Sequence, residues 1–198
     1  MEKHELSPEE SLTIIRQSIA NFKMNFKEYA MYFLLWGWML TFASFSNFII
    51  LRILHAREAY ELMGPLSLGN WGVFGLTGFI IQLFMDRKIS RNKKVHSHLE
   101  GYIRNIWMVA AIGFFVGTFV CFQLNIDPPP IMLLIAGVAT TTSGVMIKFK
   151  PVIVGGIVFF VFSIATSFVH NEYIALLTGA AILLGYVIPG YYLKSAKE

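Results

Sequence analysis

Charged side chains are scarce in this chain, at 14% of its 198 residues. A typical soluble domain is about 25% charged. Hydrophobic residues make up 56% of the sequence and aromatic residues 15%, which is more apolar surface than a soluble fold of this size can bury without aggregating. The scarcity of charge therefore excludes an ordinary soluble domain and favours a protein that is dissolved in lipid.

Residues that carry chemistry are also missing from the apolar segments. Cys121 is the only cysteine, which excludes an internal disulfide. No carboxylate, histidine or lysine lies at mid-depth of a predicted span, and no phosphate-binding loop, metal-ligand motif or nucleophile–base pair is present. Because proton transfer and water activation need a titrating group, we expect no catalytic residue, no cofactor and no metal site.

Long apolar runs are abundant. About 20 apolar residues cross the hydrocarbon core of a bilayer, and six segments approach or exceed that length. The sequence therefore predicts an all-α polytopic bundle of six transmembrane helices (29–193), preceded by a cytoplasmic amphipathic helix (1–28) and followed by a cytoplasmic tail (194–198). The predicted spans are 29–51, 66–85, 106–124, 131–147, 152–169 and 173–193.

Basic residues cluster in the connection between the second and third predicted spans, from Asp86 to Asn105. This stretch holds Arg87, Lys88, Arg91, Lys93, Lys94 and Arg104. Positively charged connections stay on the cytoplasmic side, which places both termini inside and fourteen of the sixteen Lys and Arg residues there. The pattern predicts orientation and contact with anionic lipid headgroups, and not nucleic-acid binding.

The N-terminal segment has an amphipathic helical pattern. Ser7-Pro8-Glu9-Glu10 is typical of a helix start. Apolar residues then recur at spacings of three and four, at Leu12, Ile15, Ile19, Phe22 and Phe26. This pattern fits a helix lying in the cytoplasmic interface, and it also fits a short seam for a partner or a second copy.

The first two spans carry further local signals. The sequence from Arg52 to Met63 is compatible with helix, and Gly64-Pro65 predicts its end, so the first span is expected to project beyond the bilayer as a stalk. Four glycines spaced by three occur in the second span and predict an inner helix with close neighbours. They are Gly69, Gly72, Gly75 and Gly78.

Two polar features lie within the spans. Thr140, Thr141, Thr142 and Ser143 form a hydroxyl run between Gly137 and Gly144. One interpretation is a mid-membrane site for a solute or a sodium ion. The other is that each hydroxyl bonds the carbonyl one turn back, while small residues pack against another helix. Asn47, Asn70 and Gln82 are predicted to be interhelical hydrogen-bond partners, with a ligand role as the alternative.

Gly185 and Pro189 predict a kink in the sixth span. Proline removes the amide that would bond the carbonyl of Gly185. The kink is either an ordinary feature of a membrane helix or the hinge of a gate.

The chain resembles small bacterial inner-membrane proteins with six spans. Four motifs carry the resemblance: Glu9-Glu10-Ser11-Leu12, Leu35-Trp36-Gly37, Ile147-Lys148-Phe149-Lys150-Pro151, and Gly185-Tyr186-Val187-Ile188-Pro189-Gly190. The resemblance implies this architecture and localisation, and no activity.

The sequence leaves three functional hypotheses in order. The first is a non-enzymatic regulatory, sensory or scaffolding subunit that acts through a protein partner or as a homodimer. The second is a small-solute transporter or channel that uses the hydroxyl-rich fourth span. The third is an enzyme acting on lipids or isoprenoids.

Overall fold

The computed structural model describes the backbone of residues 8–92 and 98–195 and the side chains of residues 27–91 and 99–195. The described part contains helices and no strand, which confirms the predicted all-α class. The α-helices are α1 (Pro8–Ala56), α2 (Met63–Asn92), α3 (His98–Leu124), α4 (Pro129–Met146), α5 (Lys150–Thr166), α6 (Tyr173–Ile182) and α7 (Ile188–Ser195). A 3-10 turn, Tyr60–Leu62, precedes α2, and a π-helical turn, Leu183–Val187, joins α6 to α7.

Helix α1 unites two elements that the sequence predicts separately. Its 49 residues measure about 74 Å at 1.5 Å per residue. The helix ends at Ala56, followed by Glu58 with a φ of 55°. The stalk predicted to reach Met63 is therefore wrong. Gly64 and Pro65 lie in the first turn of α2, where proline needs no hydrogen-bonded N–H.

Within the described residues, five helical segments are long and apolar enough to cross a membrane. They are Lys27–Ala56, Tyr60–Arg91, Leu99–Leu124, Pro129–Met146 and Tyr173–Ser195. Helix α5 is apolar but has only 17 residues. A membrane protein with several spans is thus supported, while the sixth crossing predicted over 152–169 stays a prediction.

The helices pack in an order that leaves α2 and α3 at the periphery. Helix α1 contacts α2 on one side and α6, the π-helical turn and α7 on the other. Helix α5 packs between α4 and the last helical segment, which comprises α6, the π-helical turn and α7. Helix α3 packs against α4. Only 6% of the most apolar stretch of α2 is buried, compared with 61% for the last segment.

The prediction that the second span is an inner helix is therefore wrong. Two positions three residues apart are neighbours on a helix, but each such step rotates by about 60°, so four of them extend over about half of the helix circumference. Of the four glycines, only Gly78 lies against α1, where an added Cβ would be 3.2 Å from the Trp36 ring. Gly69, Gly72 and Gly75 face open space.

Helices α4 and α5 approach at backbone distance. A Cβ added at Gly156 would lie 2.6 Å from the Thr141 backbone nitrogen and would also collide with the Thr141 hydroxyl oxygen. A Cβ at Gly144 would lie 2.7 Å from the Ile153 nitrogen. Without a hydrophobic driving force between helices in lipid, such close packing supplies much of the association energy.

The centre of the bundle is filled by aromatic side chains. Tyr186, 5% exposed, extends from the π-helical turn. Its ring centroid lies 4.6 Å from that of Phe159, 5.6 Å from that of Phe33 and 6.0 Å from that of Trp107. These contacts connect α5, α1 and α3 to the last helical segment.

The α4–α5 contact predicts a sharp difference between two glycines. We expect Gly156→Ala to lower the free energy of unfolding by about 1 to 3 kcal/mol, because the backbone on the facing helix cannot make room. Gly72→Ala, on the open face of α2, should be neutral or stabilising by up to about 1 kcal/mol. Thermal unfolding of the purified variants in detergent measures both. Equal destabilisation by the two substitutions would contradict the described contact.

Candidate functional site

The hydroxyl run of α4 divides into one paired and three unpaired groups. Thr142 is exposed and its Oγ1 donates to the Val138 carbonyl at 2.8 Å. Thr140, Thr141 and Ser143 have buried hydroxyl oxygens without a hydrogen-bond partner in the described part of the chain. The prediction that each hydroxyl bonds the carbonyl one turn back therefore holds for Thr142 alone.

The three unpaired hydroxyls are enclosed by other helices. Thr140 is 0% and Ser143 2% exposed. The Tyr186 phenol lies near the Thr140 hydroxyl but outside hydrogen-bond geometry. Thr141 lies against Gly156 of α5. In this conformation the run forms a packed helix contact.

Asn70 and Gln82 lie elsewhere, in a polar seam between α1 and α2. The Trp36 indole N–H donates to Gln82 Oε1 at 2.7 Å. The Ser46 hydroxyl donates to Asn70 Oδ1 at 2.7 Å, and Asn70 Nδ2 donates to the Ala43 carbonyl at 2.9 Å.

The seam extends along α1 towards the basic connection, where the Tyr32 hydroxyl in the middle of α1 donates to Asp86 Oδ1 of α2. Among the described helices, neither α1 nor α2 packs against α4. The predicted candidate site of Asn70, Gln82 and the α4 hydroxyls is therefore not assembled, and both amides serve as interhelical partners.

A second row of buried polar side chains, here called the second polar seam, follows α1, which contacts α6 at Ser44. Asn47 is 7% exposed, and its Oδ1 has no hydrogen-bond partner among the described residues. Thr41 and Ser44, which sequence reasoning missed, are 2% and 0% exposed and equally unpaired. The spacing of three from Thr41 to Asn47 was the available signal. A Cβ added at Gly179 of α6 would lie 3.2 Å from Ser44 Cβ.

An ion pair closes this second seam at the end distant from the basic connection. The Arg52 guanidinium donates to Glu172 Oε1 at 2.8 Å and to the Tyr173 hydroxyl at 3.3 Å. The pKa of the Glu172 carboxyl is lowered, first by a hydrogen bond from its own backbone N–H and then by Arg52. A looser pair, His170 with Asp127 at 3.8 Å, lies in the neighbouring connections.

Gly185 lies in the π-helical turn, and Pro189 lies in the first turn of α7. Ile188 N–H donates to the Leu183 carbonyl, five residues back, in the pattern of a π-helix. A Cβ at Gly155 of α5 would lie 2.5 Å from the Gly185 carbonyl oxygen. The irregularity predicted here is thus a change of helix type that is enclosed by a neighbouring helix.

The basic connection is largely helical. Arg87, Lys88 and Arg91 lie in the last turns of α2, and Arg104 lies in α3. All four side chains are exposed. Lys93 and Lys94 lie outside the described residues.

The described residues contain no group of three or more His, Cys, Asp or Glu side chains that could hold a metal ion. Compared with family models, curated proteins and solved structures, the chain shows no match. The resemblance noted from its motifs therefore stays a prediction, and functional inference rests on the geometry above.

Proposed function

We propose that the chain is a six-span protein of a bacterial inner membrane, with both termini cytoplasmic, that acts without catalysis as a regulatory, sensory or scaffolding subunit. It does so by binding another polypeptide through the cytoplasmic part of α1.

The length of α1 is the observation that carries this proposal. The helix continues without interruption from Pro8 to Ala56, whereas a bilayer core is about 30 Å thick. With residues 29–51 in the core, residues 8–28 extend about 30 Å beyond it. An unbroken helix cannot turn through a right angle to lie in the membrane plane. A projecting helix favours the partner interpretation of the apolar stripe over the interfacial one.

The apolar positions from Leu12 to Phe26 all lie in this projecting part of α1. Another polypeptide that packs along the stripe would shield these side chains from water, which supports the partner proposed here.

The open face of α2 also supports association. Glycine destabilises a helix by about 1 kcal/mol relative to alanine. A Cβ added at Gly69, Gly72 or Gly75 would have no neighbour within 4 Å among the described residues. A helix from a partner or from a second copy would convert these positions into close contacts.

Site-specific photocrosslinking in native membranes tests the proposal. A photoreactive residue at Ile15 or Ile19, on the apolar stripe, should form an adduct with a second polypeptide. The same residue at Gln17 or Asn21, on the opposite face, is the matched control and should give little or none. Adducts confined to lipid, or equal adducts from both faces, would refute partner binding through the stripe.

A second candidate function, a small-solute transporter or channel, is favoured by one observation. Three buried hydroxyls of α4 lack a hydrogen-bond partner among the described residues, and an unpaired buried polar group costs about 1 to 3 kcal/mol. If a substrate binds these hydroxyls in another conformation, transport would explain why the chain keeps buried groups that lower its stability.

Flux into proteoliposomes over a panel of small solutes tests this second function. Thr140→Val should reduce flux at least about tenfold, whereas Thr142→Val, whose hydroxyl only bonds its own helix, should leave it near the unmodified rate. Flux that is absent, or lowered equally by both variants, would exclude transport through the α4 hydroxyls.

A further inference from the structure

An open cavity lies at the end of α2 next to the basic connection. Its volume is about 390 Å³, and among the described residues it is lined by Asp86, Arg87, Ser90 and Arg91. This volume is within the range of about 300 to 1,000 Å³ that is typical of ligand sites. Arg87, Ser90 and Arg91 are exposed. Residues four apart are neighbours on a helix, so the two arginine side chains emerge side by side.

The charges of this lining fit a singly charged anion. Within the described residues, neither Arg87 nor Arg91 forms an ion pair. The Asp86 carboxylate accepts a hydrogen bond from the Tyr32 hydroxyl of α1 through Oδ1. The lining therefore carries two positive charges and one negative charge, which leaves a net charge of +1.

The chemistry of the lining fits a phosphate group. Arginine guanidinium groups bind phosphate oxygens through pairs of parallel N–H donors. Ser90 lines the same cavity as Arg87 and Arg91 and supplies a hydroxyl donor. A phosphodiester, which carries one negative charge, matches both the donors and the net charge.

The cavity lies at the depth of lipid headgroups. Met85 is the last residue of the apolar run, and Arg87 and Arg91 follow it by about 3 and 9 Å along the helix axis. The headgroup region on each side of a bilayer core is about 5 to 8 Å thick. A phospholipid therefore places its phosphodiester at the level of the two arginines.

An exposed apolar face continues from the cavity towards the middle of the membrane. Counting back from Arg87 in steps of three and four reaches Phe84, Leu83, Ile80 and Leu76, and all four are exposed. The helix rises about 16 Å from Leu76 to Arg87, close to the depth of about 15 Å of one leaflet of the core. The acyl chains of a lipid bound at Arg87 match this face in length and in character.

The neighbouring helices leave this face open. Within the described residues, α2 packs against α1 and the 3-10 turn, and α3 packs against α4, although α3 follows α2 in the chain. Gly69, Gly72 and Gly75 lie nearer the other end of α2. The open glycines and the face next to the cavity therefore occupy different halves of the helix.

We propose that this end of α2 binds one anionic phospholipid. Arg87, Ser90 and Arg91 hold its phosphodiester, and its acyl chains lie along the face from Phe84 to Leu76. A zwitterionic lipid binds less tightly, because its headgroup cation is repelled by the two guanidinium groups. The site assigns lipid recognition to two cations of the basic connection and does not depend on the partner binding proposed for α1.

Native mass spectrometry of the purified full chain in detergent tests this site. Titration with dioleoyl phosphatidylglycerol should show saturable binding of one lipid. Arg87→Gln combined with Arg91→Gln should weaken this binding about 30-fold, the effect expected for two cations near a headgroup. Lys88→Gln combined with Arg104→Gln is the matched control, because it removes the same charge from exposed side chains outside the described lining. Since more distant exposed charges are screened by salt, the control should stay within about threefold of the unmodified chain.

Several outcomes would overturn the proposal. Equal weakening by the two double variants indicates general attraction to the basic connection, and equal affinity for dioleoyl phosphatidylcholine excludes recognition of an anionic lipid. Glycerophosphoglycerol, the same headgroup without acyl chains, should not bind at the lipid concentrations used, and binding as tight as that of the lipid would identify a site for a soluble anion instead.

If the Arg87→Gln, Arg91→Gln variant does not fold, the two single variants replace it. Each should weaken binding about fivefold, since each removes one cation near the headgroup. Binding that is unchanged in both single variants would contradict the site.

Discussion

Lipid offers no hydrogen bonds to the protein, and this constraint governs the structure. Backbone groups in the hydrocarbon must be satisfied within each segment, so the apolar runs of this chain are helices. Lipid also gives helices no hydrophobic reason to associate. The bundle is consequently held by close backbone contact, as between Gly156 and Thr141, and by interhelical hydrogen bonds such as that from Trp36 to Gln82.

The same constraint separates two ways of placing polar groups in the interior. Along the α1–α2 seam each amide side chain has a partner on the facing helix, as Asn70 has with Ser46 and Ala43. On α1 at Thr41, Ser44 and Asn47, and on α4, buried oxygens have no hydrogen-bond partner among the described residues. The first arrangement contributes to stability. The second costs stability, and its persistence is the strongest indication of function in the interior.

Much of the fold could be predicted from the sequence because hydropathy and charge act locally. Apolar run length located the membrane helices, and the small residues Ala136, Thr140 and Gly144 indicated close packing against another helix. Which helix packs against each helix face cannot be predicted from a local pattern, because it depends on how all the helices are arranged in space. For that reason the glycines of α2 suggested an inner helix, although three of them face open space. The hydroxyl pattern likewise could not show that Thr142 bonds its own helix while Thr140 is buried without a partner among the described residues. The continuity of α1 was missed because two patterns, amphipathic and apolar, suggested two elements.

The central claim is that the chain crosses the bilayer six times. The claim depends on whether α5 crosses, because its 17 residues are fewer than the about 20 that a bilayer core requires. Single cysteines at Lys148 and His170, at the two ends of α5, are introduced into a Cys121→Ser background. Both are labelled with a membrane-impermeant maleimide in right-side-out and inverted vesicles. Six crossings predict that position 148 reacts only in inverted vesicles and position 170 only in right-side-out vesicles. Labelling of both positions from the same side would contradict the account.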